Sequence, residues 1–557
     1  MLALHVFLCA PSAAQPPNIV FFLTDDQDQM LGGSFPQTAP GKATPMPKTK
    51  NLFEAGGATA TNFFIHTPIC CPSRAETLTG RYLHNVHTPV AKRECSEAYE
   101  GFDDAGNACC MHVDEVLVNN FTMAKYLSAA GYVSGMFGKY LNNCPNTTQL
   151  GWTTWFANGG GSYFNTTFSV ENVKGLPDAE ELKFDDESAI GAAYSTSLIG
   201  NYSIAWIKQQ AETNPETPFF AYVGFKASHE PFQPAKWYKS HWDPSWPATA
   251  PRPPSWNCSM ESRAKHHPNI ASQSMLTDSV RQCIDDAFQN RWRTLMSVDD
   301  AIAQTVATID ELGLASKTYF FYSSDHGFQL GELNLPQDKR NVYDFDTRIH
   351  MVARGPGIRP GTLWNAPATN VDIAPTFLTL AGVAPAAIAA AAIDGRSFLH
   401  FILPDATDAG LPRSVAASLA SDAALREAAA RPWRTEVFIH HYRVGAGNYC
   451  SDHEGSHHFV DQIDNNFIAV RTMPDSPDGA LLYSEFQWSN GTTYGEGNVD
   501  FTDVFFHELF NMSTDKWQLH NIYDDVAKEN PQLIARLHDR THQWFDCKGH
   551  SGKGGCN

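Results

Sequence analysis

The sequence predicts a doubly wound α/β domain followed by a smaller C-terminal α+β domain. Three observations predict it: four apolar β-rich runs that each end in polar, reactive residues, helical patterns between those runs, and a shift in composition near residue 410. Continuous apolar strands suit a sheet covered on both faces, and strand–helix alternation builds such a sheet. Open α/β sheets bind ligands beyond the carboxyl ends of their strands, so four such ends are expected to meet in one crevice.

The four runs are residues 18–26, 131–139, 219–229 and 319–327. The clearest helix has Leu295, Val298, Ile302, Val306, Ile309 and Leu312 at spacings of three and four, stops at Gly313, and leads into the strand at Tyr319. Ala-rich stretches at 384–393 and 416–430 mark the boundary, which gives a domain at 15–410 and another at 411–557. Residues 467–471 and 480–486 flank a Pro-Asp-Ser-Pro-Asp-Gly turn and read as paired strands, and a last helix is expected over about 531–545.

Composition narrows the function. The 557 residues are 43% hydrophobic and 18% charged, which excludes a disordered chain. A net charge of -20 disfavours nucleic-acid binding, which needs basic surface to displace counterions. No run of 18 apolar residues occurs, so no membrane span is expected. Residues 1–14 read as a short signal peptide ending near Ala14. Seven glycosylation sequons start at Asn120, Asn146, Asn165, Asn201, Asn257, Asn490 and Asn511. Of twelve cysteines, setting aside Cys9 and Cys70 leaves ten, an even number compatible with disulfides. The chain reads as a secreted or lysosome-like lumenal glycoprotein.

The sharpest chemistry lies at residues 70–81, Cys-Cys-Pro-Ser-Arg-Ala-Glu-Thr-Leu-Thr-Gly-Arg. A helix N-terminus and a nearby arginine both favour an anion at Cys70. A structural disulfide cysteine beside a turn-forming proline is an equal reading from chemistry alone. Asp25, Asp26 and Asp325 sit at converging strand ends. Like charges held together call for a cation, and oxygen ligands select a hard one, Ca²⁺ or Mg²⁺.

The pattern C-x-P-S-R-x-x-x-L-T-G-R resembles the signature of type I sulfatases, in which the first cysteine is oxidised to formylglycine by a dedicated generating enzyme. The likeness continues in residues 18–28, in Gly138-Lys-Tyr-Leu-Asn142, in Ser324-Asp-His-Gly327 and in residues 335–340, in the family's order. It covers roughly residues 18–400. The glucosamine-6-sulfatases and the extracellular glucosamine-6-sulfate endosulfatases are the most similar branch.

The resemblance implies an alkaline-phosphatase-like sandwich. It also implies one Ca²⁺ held by Asp25, Asp26, Asp325 and His326 together with the modified Cys70. Arg74, Lys139, His229 and Lys339 become the catalytic cations and proton carriers, and Lys139, Asn142, His229 and Lys339 the substrate contacts. One hydroxyl of the hydrated formylglycine would attack sulfur, His229 aided by Lys339 would protonate the departing sugar oxygen, and the second hydroxyl would expel sulfate from the covalent sulfo-enzyme. Many sulfatases carry a histidine two residues after the lysine, whereas this chain has Leu141. The implied substrate is the 6-O-sulfate of glucosamine or N-acetylglucosamine in a sulfated glycan. Without a long basic insertion, exo action or a small substrate is favoured.

Alternatives are an arylsulfatase of broad specificity, a phosphomonoester or phosphodiester hydrolase, and a non-catalytic glycan binder with Cys70 unmodified. His66 and His84 lie near Cys70 in sequence without an assignable role. His440, His441, His453, His457 and His458 with Cys450 and Asp452 match no standard zinc spacing. Residues 159–161 read as a glycine turn. Trp237, Tyr238, Trp242 and Trp256 could stack on sugars, although packing is the safer reading.

Overall fold

The computed structural model describes residues 15–28, 43–86, 100–102, 108–110, 113–142, 145–185, 193–403, 411–412, 414–421, 432–442, 450, 461, 464–488, 499–549 and 555–556. The expected signal peptide, the boundary near 410, Cys9, Asn490, Asp452 and His453, His457 and His458 lie outside them.

A ten-stranded sheet forms the centre. Its strands in chain order are β1 (Asn18–Thr24), β2 (Ala58–Ala60), β3 (Val133–Lys139), β4 (Thr154–Asn158), β5 (Thr166–Glu171), β6 (Ala179–Phe184), β7 (Phe219–Gly224), β8 (Thr318–Ser324), β9 (Met351–Arg354) and β10 (Thr362–Trp364). They run β6-β5-β4-β3-β7-β1-β8-β9-β2-β10 across the sheet. The four runs singled out in the sequence are β3, β7, β1 and β8, adjacent and mutually parallel. Their carboxyl ends therefore stand side by side.

Both faces are covered, as the unbroken apolar runs require. Ile19, Phe21 and Leu23 enter one core and Val20 and Phe22 the other. On the first face, helix Cys70–Thr79 (α1) and helix Ile373–Leu380 are buried along their whole length. Phe377 of the latter packs edge-on against Phe21, with ring centroids 5.4 Å apart. On the second face lie helix Ser195–Thr213 and helix Asp278–Glu311, the latter presenting Leu295, Val298, Ile302, Val306 and Ile309. Each such side chain contributes about 1.5–3 kcal/mol by leaving water. Helix Asp278–Glu311 starts earlier than its periodicity predicts. Thr277 caps it, and its first half buries Val280, Ile284, Phe288 and Trp292 in a separate cluster that Trp242, Trp246 and Trp256 join. Packing rather than sugar stacking thus accounts for Trp242 and Trp256, while Trp237 is 38% exposed.

A second, antiparallel sheet takes β11 (Glu436–His441), β12 (Asn466–Thr472), β13 (Leu481–Gln487) and β14 (Val504–Asn511) in chain order. The expected strand pair is β12 and β13, and the expected last helix is Pro531–Phe545, capped by the Asn530 side chain. One face of this sheet buries Val437, Ile439, Phe467 and Leu482 against Leu335, Val342, Tyr343 and Phe345, the segment that follows β8. The other face receives Leu537 of the terminal helix.

The cysteine count needs a correction. Cys283–Cys450 and Cys547–Cys556 are disulfides and Cys71 is disulfide-bonded, but Cys258 is a free buried thiol, so the ten remaining cysteines are not all paired. Asn120, Asn146, Asn165 and Asn201 are exposed sequon asparagines. No helix of the described residues is long and apolar enough to cross a membrane.

Close strand packing sets the residue before Lys139. Gly138 has φ +95°, and a Cβ there would stand 1.9 Å from the Gly224 carbonyl oxygen on β7. Gly175 also has positive φ (+87°), yet a Cβ there meets nothing within 4 Å. Gly175→Ala is therefore expected to cost only the backbone term, about 1 kcal/mol, and Gly138→Ala about 3 kcal/mol. Urea unfolding of the two variants checks this; equal losses would show that the strand contact is not the constraint.

Candidate active site

Helix α1 begins at Cys70 at the carboxyl ends of the central strands, with extended Ile69 before it. Cys70 is 2% exposed and carries a free thiol. Its Sγ lies 3.5 Å from Asp25 Oδ1 after β1 and 3.4 Å from His326 Nε2 after β8. One turn along α1, Arg74 donates from Nε to Asp325 Oδ2 at 2.9 Å and from Nη1 to the Lys139 carbonyl at 3.0 Å, with Nη2 3.7 Å from Asp25. Lys139, the last residue of β3, pairs with Asp25. Lys339 donates to both oxygens of Asp26 at 2.9 and 3.0 Å. Asp26 has φ 58°, and its N–H donates to Asp325 Oδ1 at 3.1 Å.

Three carboxylates are thus buried together, each against its own cation. Burial alone would raise Asp25, but Lys139, with Arg74 behind it, holds its carboxyl well below the ordinary range. Lys339 does the same for Asp26 against the same cost of burial. Asp325 is pushed up instead, by burial and by the neighbouring Asp25. The Cys70 thiol is also pushed up, chiefly by burial and then by Asp25.

The two histidines are oriented through Nδ1. That nitrogen of His326 lies 2.8 Å from the Gly327 carbonyl, and that of His229 lies 2.9 Å from the Glu230 carbonyl. A proton on Nδ1 leaves each Nε2 with a lone pair. In His326 that atom is 3.3 Å from Asp26 Oδ1 and 3.5 Å from Asp325 Oδ1. Burial pushes His229 down to about 3, so it is neutral at rest.

Asp25, Cys70, Asp325 and His326 each offer a donor atom within 4.8 Å of the others, as do Asp25, Asp26, Cys70 and His229. Each set offers two carboxylates, one imidazole nitrogen and one sulfur, which together fit a divalent cation, and the paired carboxylates fit a hard one. Sulfur is the misfit in that set. An oxygen at position 70, as oxidation of the cysteine would introduce, removes it.

The sequence-predicted residues therefore meet, with one left at the margin. Asn142 is half-buried, and its backbone packs on Gly159. The adjacent Gly160 lies against the Lys139 side chain, so residues 159–161, a bend after β4, flank the site. Leu141 is fully buried in the core. His66 and His84 belong to a buried aromatic cluster around Tyr82. His440 and His441 point to separate carboxylates, Glu76 at 3.0 Å and Asp461 at 3.2 Å, and so do not share a metal.

Sequence reasoning missed two cations. Lys226 is 7% exposed, stands 5.5 Å from the Tyr163 ring, and is lowered to about 8 by burial and by Lys139. Arg291 donates to the Asp26 carbonyl and, at 3.0 Å, to Asp28. Lys226 was legible three residues before His229; Arg291 lies inside a long helix with nothing to mark it.

The sulfatase family model matches residues 17–383. The N-acetylglucosamine-6-sulfatase of Homo sapiens is 30% identical over 553 residues, covering 96% of this chain and 85% of that protein. The extracellular sulfatase SULF-1 homolog of Drosophila melanogaster is 32% identical over 395 residues, covering 70% of this chain and 31% of its own length. Among solved structures, a protein in complex with its substrate D-glucosamine-2-N,6-O-disulfate shares the fold (TM-score 0.57, 18% identity, 94% of this chain and 97% of that one). The phosphonate monoester hydrolase of Agrobacterium radiobacter does so as well (TM-score 0.59, 16% identity, 94% and 96%). With its signature cysteine, carboxylates and cations gathered at one set of strand ends, the chain belongs to the sulfatase family.

Proposed function

We propose that this sulfatase removes the 6-O-sulfate of N-acetylglucosamine or glucosamine in a sulfated glycan, with Cys70 converted to formylglycine. The observation that carries the reading is a free Cys70, buried at the start of α1 among Asp25, Asp325, His326 and three cations. As a thiol it is held protonated by burial and Asp25, and so is a poor nucleophile. Hydrated formylglycine supplies a nucleophilic hydroxyl in its place, and a Ca²⁺ held by Asp25, Asp26, Asp325 and His326 supplies positive charge for the sulfate oxygens. The N-acetylglucosamine-6-sulfatases that align along nearly the whole chain support the sugar assignment.

The chain's own residues do the rest. Arg74 remains cationic and fixes Asp325, and Lys139 and Lys339 face the reacting sulfate. Because His229 is neutral at rest, Lys339 is the charged group that meets the departing sugar oxygen. His229 delivers a proton there only after an adjacent anion raises its affinity for one. Lys226 adds a cation for the sulfate or for a second anionic group of the glycan. Residues 15–410 form the catalytic unit, buttressed by residues 411–557. The extracellular relatives, the apolar start and the exposed sequons support secretion or lysosomal delivery with N-glycosylation. A second reading, phosphonate monoester hydrolysis, rests on the shared fold.

Protein from a eukaryotic secretory host should carry an aldehyde at position 70, trapped by an amine reagent and located by peptide mass. Cys70→Ala should lose sulfatase turnover by about 10³-fold or more. A plain thiol in active protein would sink the reading, and faster turnover of an aryl phosphonate monoester than of glucosamine 6-sulfate would favour the second. Lys226→Met should raise KM several-fold with kcat nearly unchanged, whereas a fall in kcat alone would give it a chemical role.

Arg74→Met leaves Asp25 and Asp325 short of a counter-charge and should destabilise the metal-free protein by about 3–5 kcal/mol at pH 7. The native Asp25 is depressed, so its stabilisation is complete above about pH 4 and is lost as the pH falls through the native value. The deficit of the variant should therefore shrink on acidification. Denaturant unfolding at several pH values checks this, and a pH-independent deficit would assign the loss to packing.

A further inference from the structure

The terminal helix carries a cluster that the sulfatase site does not use. His538 and His542 are one turn apart on helix Pro531–Phe545, so both project from one face, with ring centroids 4.2 Å apart. That face meets Glu485 of β13, whose side chain is fully buried. His538 Nδ1 lies 2.8 Å from Glu485 Oε1 and His542 Nε2 lies 2.9 Å from Oε2. The Tyr483 hydroxyl donates to Oε1 at 2.7 Å and so fixes the carboxylate from the same strand face. The histidine side chains are 49% and 25% exposed, which leaves the cluster open to solvent on one side. His507, paired with Glu485 across β13 and β14, is stacked on Tyr523 with ring centroids 4.4 Å apart.

We propose that Glu485, His538 and His542 form a zinc site that clips the terminal helix to the C-terminal sheet. Two imidazole nitrogens and one carboxylate oxygen suit Zn²⁺, whereas Ca²⁺ takes six or more oxygens. Two histidines at i and i+4 on one helix offer their nitrogens to a single ion. Three protein donors leave the fourth position of a tetrahedral ion to water, on the exposed side. Tetrahedral bonds of about 2.0–2.1 Å place donors about 3.3 Å apart. The helix face and the carboxylate therefore open by about half an ångström on loading, a movement within reach of half-exposed histidine side chains. The site lies outside the sulfatase machinery, and its fate does not depend on the substrate assigned above.

The test uses full-length protein stripped of metal and then saturated with Ca²⁺. Zinc chloride titrated into wild type by calorimetry should fill one more site than in His538→Ala/His542→Ala. Zinc should also raise the melting temperature of wild type alone, with sulfatase turnover in calcium unchanged by the double substitution. Co²⁺ in wild type should give the visible absorption of a four- or five-coordinate ion. His542→Gln keeps an amide donor for Glu485, so it preserves the hydrogen bond while weakening metal binding by at least about tenfold. This variant decides the matter if the double variant fails to fold. Equal zinc stoichiometry and affinity in wild type and His542→Gln, or no cobalt spectrum, would overturn the proposal and leave a hydrogen-bonded cluster.

Discussion

The structure depends on neutralising three carboxylates that the parallel strands force together. Asp25, Asp26 and Asp325 sit at adjoining carboxyl ends and are fully buried. An ionised carboxylate taken out of water costs several kcal/mol unless a counter-charge meets it. Arg74, Lys139 and Lys339 each answer one of them, so protein charge in the centre cancels. A divalent cation added to that balanced set would make the site net positive, a match for an anionic sulfate ester on a chain of net charge -20.

The three cations arrive from different parts of the chain, so the site cannot form locally. Arg74 comes from a helix, Lys139 from a strand end, and Lys339 from the segment after β8. That segment is strained: Asp338 and Arg340, on either side of Lys339, have φ of 115° and 87°. Non-glycine residues stay there only when their surroundings over-determine them. The C-terminal sheet supplies those surroundings. Asn465 donates to the Arg340 carbonyl at 2.9 Å, Arg471 holds Asp344 at 3.1 Å, and the apolar face of the sheet receives Val342 and Phe345. The same sheet reaches α1 through His440 and Glu76. The smaller sheet therefore works as a buttress for the candidate site.

Where function depends on strand ends, the sequence was informative. Apolar runs closing in Asp25, Lys139, His229 and Asp325 predicted strand ends that meet in one crevice, since a two-sided sheet leaves an unbroken hydrophobic signature and its ends must turn polar, and the four strands stand adjacent and parallel. The expected hairpin and terminal helix carried turn and cap residues that name their own boundaries. What escaped was long-range. Cys258 breaks an even count because pairing depends on proximity and not on number. The buttress contacts join residues more than a hundred apart, and Arg291 reads as an ordinary position on an amphipathic helix.

The leucine at position 141 is the clearest departure from the sulfatase pattern, and the strand geometry gives it a physical setting. After Lys139 the chain turns inward: Tyr140 packs on Trp155 with ring centroids 5.0 Å apart, and Leu141 joins the same fully buried core. A histidine there would have to lose its hydration in apolar surroundings, which disfavours its charged form. The neighbouring strand supplies a cation instead. Gly138 on β3 is in register with Gly224 on β7, where the two backbones approach too closely for a side chain, and Lys226 follows Gly224 by two residues. Lys139 and Lys226 thus leave adjacent strand ends, and each acts electrostatically on the other. Positive charge absent from position 141 is present one strand away, on the same rim of the sheet.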